Sequence, residues 1–506
     1  MHIAHLADVH LGHRQYGLLQ REDDMANTFR SALGQIVESN PELALLPGDL
    51  FHSRDLRPKV LDDAERALAD VPDDIPVLVS RGNHDENLTP RSVTWLNYLH
   101  RRDHIVLLEA DLDDDTAEFE QYDPVEPGSK CGFYDHETDH GVVRVFGLQW
   151  RGARTDQALE QVASGIRATN DEHGEPAYTV LLAHFGIEDE VPALGGNVTH
   201  AELREIKEVV DYLALGHIHK RYDANGWIYN PGSPEAHSTT EVRDDWDHGY
   251  YTVTLDESEG TVGSAGPGDL EHDVTHHLTK RRPFFTTEFD VTSYDSPGDL
   301  ETAFNDHLEK ERTTLNTEIS HERFQASGNR REPMVDLRFT GTLQFDRADL
   351  PVDRLAERTE DVFDALYVQT NTSGVTSADI QALLEDLDDE EVFIDGRLQT
   401  EVLEQRVFRT IATESQYSDH ADEVASLLNT AHRMAQAEET AEDIRDTVSE
   451  RRQELFPDLT DDVVIDVAED PFAEQTTTDE PESSAETGEP DVVAESAAGT
   501  TGGDDE

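Results

Sequence analysis

The chain has 506 residues, too long for one ordinary domain, and carries 40 basic against 110 acidic side chains for a formal net charge of −70. No run approaches the ~18 consecutive apolar residues that a helical membrane span needs, and the apolar opening His2–Leu6 lacks the basic flank and cleavage site of a secretory signal. The single cysteine, Cys131, excludes an intramolecular disulfide framework and a Cys-based zinc site, so a reducing cytoplasm is the expected location.

The acid is spread along the chain. Residues from Pro457 onward contribute 17 acidic groups and no Lys or Arg, and the rest of the excess decorates segments with clear folding patterns. That distribution suits a cytosolic protein of a high-salt habitat better than a disordered polyanion. In molar salt the Debye length is about 3 Å, so carboxylates screen one another. At low salt the same charge would work against the compact state.

In chain order, the first 270 or so residues alternate short apolar strands with helical stretches. Strands are expected at Ile3–Ala7, Leu43–Leu46, Val77–Ser80, Val142–Leu148, Thr179–Ala183, Tyr212–Leu215 and Trp227–Tyr229, and helices at Met25–Glu38 and Val60–Ala69 among others. This is an α/β pattern. Residues 256–272, rich in Gly, Asp and Glu, read as a linker. A second unit over 282–370 has strand-like runs Phe284–Val291 and Met334–Leu343 and helical runs Leu300–Thr314 and Val352–Leu366, which suggests a small α+β domain. After Gly374 the pattern turns helical to about residue 456. One stripe is Leu403, Val407 and Ile411, and a second is Val424, Leu427, Leu428, Ala431 and Met434. Two narrow stripes bury little against each other, so they suit a partner helix at least as well as a bundle with its own core. The acidic segment 457–506 is expected to be disordered.

Five short motifs follow predicted strands: Asp8-Val9-His10, Gly48-Asp49, Gly82-Asn83-His84-Asp85, His184 and Gly216-His217-Ile218-His219. In open α/β sheets, sites collect outside the carboxyl ends of strands. Two cations about 3.5–4 Å apart need a shared ligand, and a carboxylate supplies one. Asp49 is the candidate bridge. Asp8, His10 and His219 would complete one cation site; Asn83, His184 and His217 would complete the other. The i, i+2 spacing within Asp8-Val9-His10 and His217-Ile218-His219 would place both side chains on one face if the chain stays extended. The glycines before Asp49, Asn83 and His217 fit close approaches of backbone. His84 is not assigned as a ligand; as an imidazolium it could stabilise the transition state or protonate the leaving oxygen. His2, His5, His13, His136, His140, His237, His248, His276 and His277 have no comparable context and read as surface or core groups.

These motifs resemble the calcineurin-like metallophosphoesterase superfamily. Within it, Asp8-Val9-His10-Leu11-Gly12 and Gly48-Asp49-Leu50-Phe51-His52 are similar to the archaeal meiotic-recombination-eleven nucleases, whose bacterial counterpart is SbcD. The resemblance covers roughly residues 1–456 and implies a four-layer αββα sandwich, a capping domain and a helical ATPase-binding segment. It further implies a nuclease that acts on DNA ends in double-strand-break repair, with single-strand endonuclease and 3′-to-5′ exonuclease action. Two Mn²⁺ per chain, a homodimer and a coiled-coil ATPase of the structural-maintenance type with a zinc hook belong to the same implication. The oxygen and imidazole donor set by itself also suits Fe, Zn or Co. Phosphoprotein phosphatases of the superfamily carry Gly-Asp-x-x-Asp-Arg-Gly, whereas His52, Ser53 and Arg54 stand here; the resemblance puts His52 near the scissile phosphate.

The strongly negative charge opposes duplex binding, which normally draws on Lys and Arg. Arg14, Arg54, Arg57, Arg81, Arg91, Arg101 and Arg102 lie near the motifs in sequence. Segment 399–456 is the expected ATPase dock. Two other readings stand beside the nuclease: a phosphoesterase for small diesters or nucleotides, and a scaffold that binds DNA ends without needing cleavage.

Overall fold

The computed structural model describes residues 1–377 apart from 87–92, 114–115, 127, 189, 191–197, 258–269, 320–324 and 327–328. Beyond 377 it describes 393–394, 397–398, 408–409, 412, 420–436, 445 and 447–448. The chain divides into two compact units, Met1–Glu385 and Asp386–Glu506.

The first unit opens with β1 (His2–His5), α1 (Leu19–Glu38), β2 (Leu43–Pro47), α2 (Pro58–Ala69), β3 (Val77–Ser80), α3 (Trp95–Arg101) and β4 (Val106–Leu107). A hairpin of β5 (Asp111–Leu112) and β6 (Ala117–Glu118) follows, then β7 (Phe133–Thr138), β8 (Gly141–Gly147), α4 (Thr155–His173), β9 (Tyr178–His184) and α5 (Arg204–Lys207). The sequence continues through β10 (Tyr212–Gly216), β11 (Tyr222–Ala224), β12 (Ile228–Asn230), α6 (Thr239–Arg243), β13 (Gly249–Glu257) and β14 (Leu270–Leu278). Two six-stranded sheets result, ordered β14-β13-β1-β2-β3-β4 and β11-β12-β10-β9-β8-β7.

The continuous apolar runs follow from burial on both sheet faces. Ile3, Leu43, Leu45, Val180 and Leu182 pack between the sheets. Their alternates Ala4, Leu6, Ala44 and Leu46 face α1 and α2, while Leu181 and Ala183 face α4. Helices on both outer faces make the four-layer αββα sandwich. His5 points inward, with Nδ1 3.0 Å from the Tyr212 hydroxyl and Nε2 3.0 Å from the Leu215 carbonyl. Burial pushes its pKa down to about 3, which keeps it a neutral core group.

The predicted linker is only partly outside the sandwich. β14 pairs antiparallel with β13 from Leu270 to Leu278, so the first sheet gains an edge strand that the Gly- and Asp-rich connection had concealed. Its alternating His and acidic residues suit a strand with one solvated face. Residues 258–269 lie outside the described residues.

A second module follows: β15 (Phe284–Asp290), α7 (Pro297–Ile319), a small hairpin of β16 (Gln325–Ala326) and β17 (Asn329–Arg330), β18 (Met334–Leu343), α8 (Val352–Phe363) and β19 (Tyr367–Ser377). β15, β18 and β19 are mutually parallel. The α+β expectation is therefore corrected to α/β: α7 and α8 serve as the crossovers that parallel strands require. Phe289, Phe304, Leu308, Leu337, Phe339 and Phe363 fill its core.

The two modules share a buried ionic cluster. Arg21, with 0% exposure, donates to Gln15 Oε1 (2.8 Å), Asp24 Oδ2 (2.7 Å), Glu235 Oε1 (3.2 Å) and the Ala236 carbonyl (2.7 Å). Asp24 also receives Arg282 Nε at 2.5 Å, just ahead of β15. Removing one partner leaves the others charged and buried, so Arg21→Met is expected to cost about 3–5 kcal/mol, read as a lowered urea midpoint.

In the second unit the described residues form a hairpin of β20 (Phe393–Ile394) and β21 (Arg397–Leu398) and the helix α9 (Ala421–Gln436). The all-helical expectation after Gly374 is corrected by β19, which runs to Ser377, and by this hairpin. Val424, Leu427, Leu428, Ala431 and Met434 fall on α9. Leu403, Val407 and Ile411 and the acidic segment 457–506 lie outside the described residues.

Candidate metal centre

The five motifs meet at the carboxyl ends of β1, β2, β3, β9 and β10, where loops from both sheets converge. Asp8, His10, Asp49 and His217 adopt left-handed backbone conformations, with φ of 52°, 49°, 53° and 91°. Such values are uncommon outside glycine and concentrate at functional sites. They also correct one expectation. β1 ends at His5, so Asp8 and His10 converge through turned backbone and not through the alternation of an extended strand. The glycines before Asp49, Asn83 and His217 all stand at close approaches, and a Cβ on Gly48 would strike the His184 ring. A Cβ on Gly82 would strike the Asp49 carboxylate and backbone nitrogen, and one on Gly216 would strike the Pro47 carbonyl.

Asp49 sits in the middle. Its Oδ2 lies 3.5 Å from His10 Nε2 and 3.2 Å from His184 Nε2. On one side, His10 Nε2 faces His219 Nε2 at 3.2 Å, and Asp8, His10 and Asp49 bring ligand atoms within 4.8 Å of one another. On the other, Asn83 Oδ1 is 3.0 Å from both His184 Nε2 and His217 Nδ1. Asp8 Oδ1 accepts the His217 amide at 2.8 Å, whereas its buried Oδ2 has no hydrogen-bond partner among the described residues. An orphaned carboxylate oxygen and imidazole nitrogens turned towards one another are poor company in an apolar interior. They fit the oxygen and nitrogen donor set of divalent cations.

Protonation follows from these contacts. Burial raises the Asp8 pKa. Burial acts the same way on Asp49, but His184 beside it outweighs that and holds Asp49 well below the usual carboxylate range. Burial would lower His184, yet Asp49 at hydrogen-bond distance carries it up to about 9. His217, buried next to His184, falls to about 4. His184 is thus charged near neutral pH in the cation-free protein. Its contribution to stability is complete below its unfolded value near 6.5 and is lost as pH rises through about 9. A cation must displace that proton. Apparent cation affinity is therefore expected to rise about tenfold per pH unit from pH 7 to 9, with at least one proton released, measured by titration calorimetry in buffers of different ionisation heat.

His84 and His52 lie at the rim. The His84 amide donates to Asp49 Oδ1 (2.9 Å) and its Nδ1 donates to the His52 carbonyl (2.7 Å), and Nε2 has no hydrogen-bond partner among the described residues. His52 stacks on His84 with centroids 5.1 Å apart, and burial next to His84 lowers its pKa to about 4. His10, His52 and His84 also bring nitrogens within 4.8 Å of one another, so all nine sequence candidates share one locale.

Four further residues belong there: His13 and His237, expected as surface or core groups, are corrected to this locale, and Asp85 and Glu241 are given no role by the sequence reading. His13 Nδ1 meets His52 Nε2 at 3.0 Å, and His237 lies in a cluster with His10 and His219. Nothing in their sequence context marks either histidine. Asp85 accepts the amides of Asp49 (2.8 Å), Phe51 (3.2 Å) and Gly82 (3.1 Å), thereby holding the β2 and β3 loops together. Glu241 Oε1 lies 3.3 Å from His219 Nδ1. A signal for Glu241 was present: Ser238 and Glu241 have capping-box spacing. Ser238 caps α6, but the Glu241 carboxylate turns to the His237 amide (2.7 Å) and to His219.

Three of the arginines near the motifs are paired with acids, while Arg101 and Arg102 are exposed. Arg14 and Arg57 both pair with Glu22, and Arg81 pairs with Glu109 at 2.5 Å. Arg54 lines a small cavity with Phe51, Ser53, His84 and Trp95. Arg91 lies outside the described residues.

Residues 1–221 match the calcineurin-like phosphoesterase family. The chain is also similar to curated archaeal proteins over about half of its length. It is 28% identical over 248 residues to the DNA double-strand break repair protein Mre11 of Archaeoglobus fulgidus, covering 48% of this chain and 52% of that protein. It is 27% identical over 286 residues to the protein of that name from Methanocaldococcus jannaschii (54% and 67%), and 30% over 225 residues to that from Aeropyrum pernix (43% and 48%). The chain thus spans about half the length of the first of these relatives. No helix among the described residues is long and apolar enough to cross a membrane.

Proposed function

We propose that the chain is a two-cation DNA nuclease that processes DNA ends in double-strand-break repair. The observation that carries this reading is the buried Asp49 carboxylate, set between His10 and His184 with Asp8, His219, Asn83 and His217 on its two sides. Asp8, His10, Asp49 and His219 would hold one cation, and Asp49, Asn83, His184 and His217 the other. Bound there, two divalent cations supply Lewis acidity that acidifies water and neutralises charge on the phosphate. Mn²⁺ is the proposed ion, on the strength of the resemblance.

The protein's own groups orient and protonate. Asp85 fixes the backbone of Asp49 and Gly82, so the carboxylate needs no rearrangement as charge develops. Glu241 holds the Nδ1 proton of His219 and turns its Nε2 lone pair inward. His84, anchored through Nδ1 on the His52 carbonyl, presents Nε2 to the departing oxygen. His52, braced by His13, is placed to contact the sugar-phosphate flank.

The nuclease reading extends to partners. A coiled-coil ATPase docked on segment 399–456 would supply DNA affinity that this acidic chain lacks, and a homodimer would present two sites to an end. Cytoplasmic location in a high-salt cell fits the net charge of −70. Deleting residues 399–506 is expected to abolish co-purification of the ATPase while metal-dependent cleavage persists. The rival readings separate in one assay: purified protein with Mn²⁺ at high salt on linear duplex DNA and on a small phosphodiester. Cleavage of the small diester alone would favour a small-substrate phosphoesterase, and cleavage of neither would favour a scaffold.

A further inference from the structure

The second module touches the metal centre's supports through β19. Gln369 lies on β19, and its Oε1 accepts two hydrogen bonds from the first module. One comes from the Tyr16 hydroxyl, the other from Thr239 Oγ1 at 3.2 Å. A carbonyl oxygen has two lone pairs, so both donors are satisfied at once.

Each donor leads inward. Tyr16 ends the loop that carries His10 and His13, and His13 Nδ1 meets His52 Nε2 at 3.0 Å. Tyr16 itself has φ of 55°, a conformation that a bulky residue holds only when its surroundings impose it. The imposing contact is visible: its ring stacks on Tyr367 of β19, with centroids 4.5 Å apart and planes 15° apart. Thr239 is the first residue of α6, whose Glu241 meets His219 Nδ1 at 3.3 Å. Ala236, Phe284 and Met334 form a small buried cluster at this junction, with Tyr16, Val242 and Tyr367 packed on it.

We infer that Gln369 is a positioning residue for the metal centre, through which the second module sets the rings of His52 and His219. The inference rests on the metal-centre reading above. Without the shared acceptor, Tyr16 loses one of the contacts that hold its strained backbone, and α6 loses the tie that fixes the height of Glu241. His219 then samples ring orientations in which Nε2 no longer faces His10. Supports of this kind typically change metal affinity by about 10–100-fold.

The test compares full-length wild type with Gln369→Leu and Gln369→Glu, titrated with Mn²⁺ in a calorimeter and with Co²⁺ by visible absorption. Gln369→Leu removes the acceptor at similar volume; Gln369→Glu keeps an oxygen in its place. The leucine variant is expected to bind one of two cations about tenfold more weakly, with a changed Co²⁺ band. The glutamate variant is expected to resemble wild type in both. A merely structural role would lower the thermal midpoint of the leucine variant and leave affinity and band unchanged, which would overturn the inference. Equal weakening in both variants would overturn it as well. If wild type binds no cation, the metal-centre reading itself fails, a result distinct from either.

Discussion

Asp49→Asn is expected to remove detectable phosphodiester cleavage and most cation binding while leaving the fold in place. Asparagine keeps an oxygen for the His84 amide, which Asp49 Oδ1 now accepts at 2.9 Å, so the β3 loop retains its anchor. What disappears is the one negative charge common to both halves of the site, between His10 at 3.5 Å and His184 at 3.2 Å. A neutral amide bridges two cations poorly. A rate loss of about 10³-fold or more, roughly 4 kcal/mol of transition-state stabilisation, is the expected scale. Removing Asp49 also removes what raises the His184 pKa to about 9, so the imidazole should lose its proton nearer neutrality. Cleavage assays with metal analysis and histidine NMR titration of the chelated variant check both parts.

His84 gives the second large effect, with a different signature. His84→Ala is expected to lose about 10²–10⁴-fold in turnover and to keep its full complement of cations. The ring is tied to the His52 carbonyl through Nδ1, so Nε2 is the nitrogen left to work. His84→Asn separates position from chemistry, because its amide nitrogen can replace the Nδ1 donor while offering nothing in place of Nε2. Both variants should be equally slow. A fast asparagine variant would make His84 a support and not an acid, and a wild-type rate in the alanine variant would remove it from the mechanism.

How much of this was legible in the sequence depends on the kind of signal. Strands buried on both faces announce themselves as apolar runs, and Val77–Ser80 coincides in sequence and structure. The candidate site residues at strand ends were legible because cation chemistry restricts such groups to a few residue types. Features built from tertiary contact were not. The left-handed φ of Asp8 and His10 leaves no mark in a non-glycine sequence. Arg21, Asp24, Glu235 and Arg282 look like ordinary surface charges until the fold buries them together. β14 hid because its polar alternation resembles the Gly- and Asp-rich stretch beside it. The second module's parallel topology cannot be read from strand and helix order when one hairpin interrupts it. His237 and His13 carry no motif; only the convergence of loops brings them to His10 and His52.

A paired cation site organised by Asp49 can be seen by soaking or co-crystallising the full chain with Mn²⁺ and locating the ions by anomalous scattering. Two peaks are expected within about 4 Å of each other, both in contact with Asp49, one near Asp8, His10 and His219 and the other near Asn83, His184 and His217. A single peak, or ions held by His10, His52 and His84 without Asp49, would contradict it.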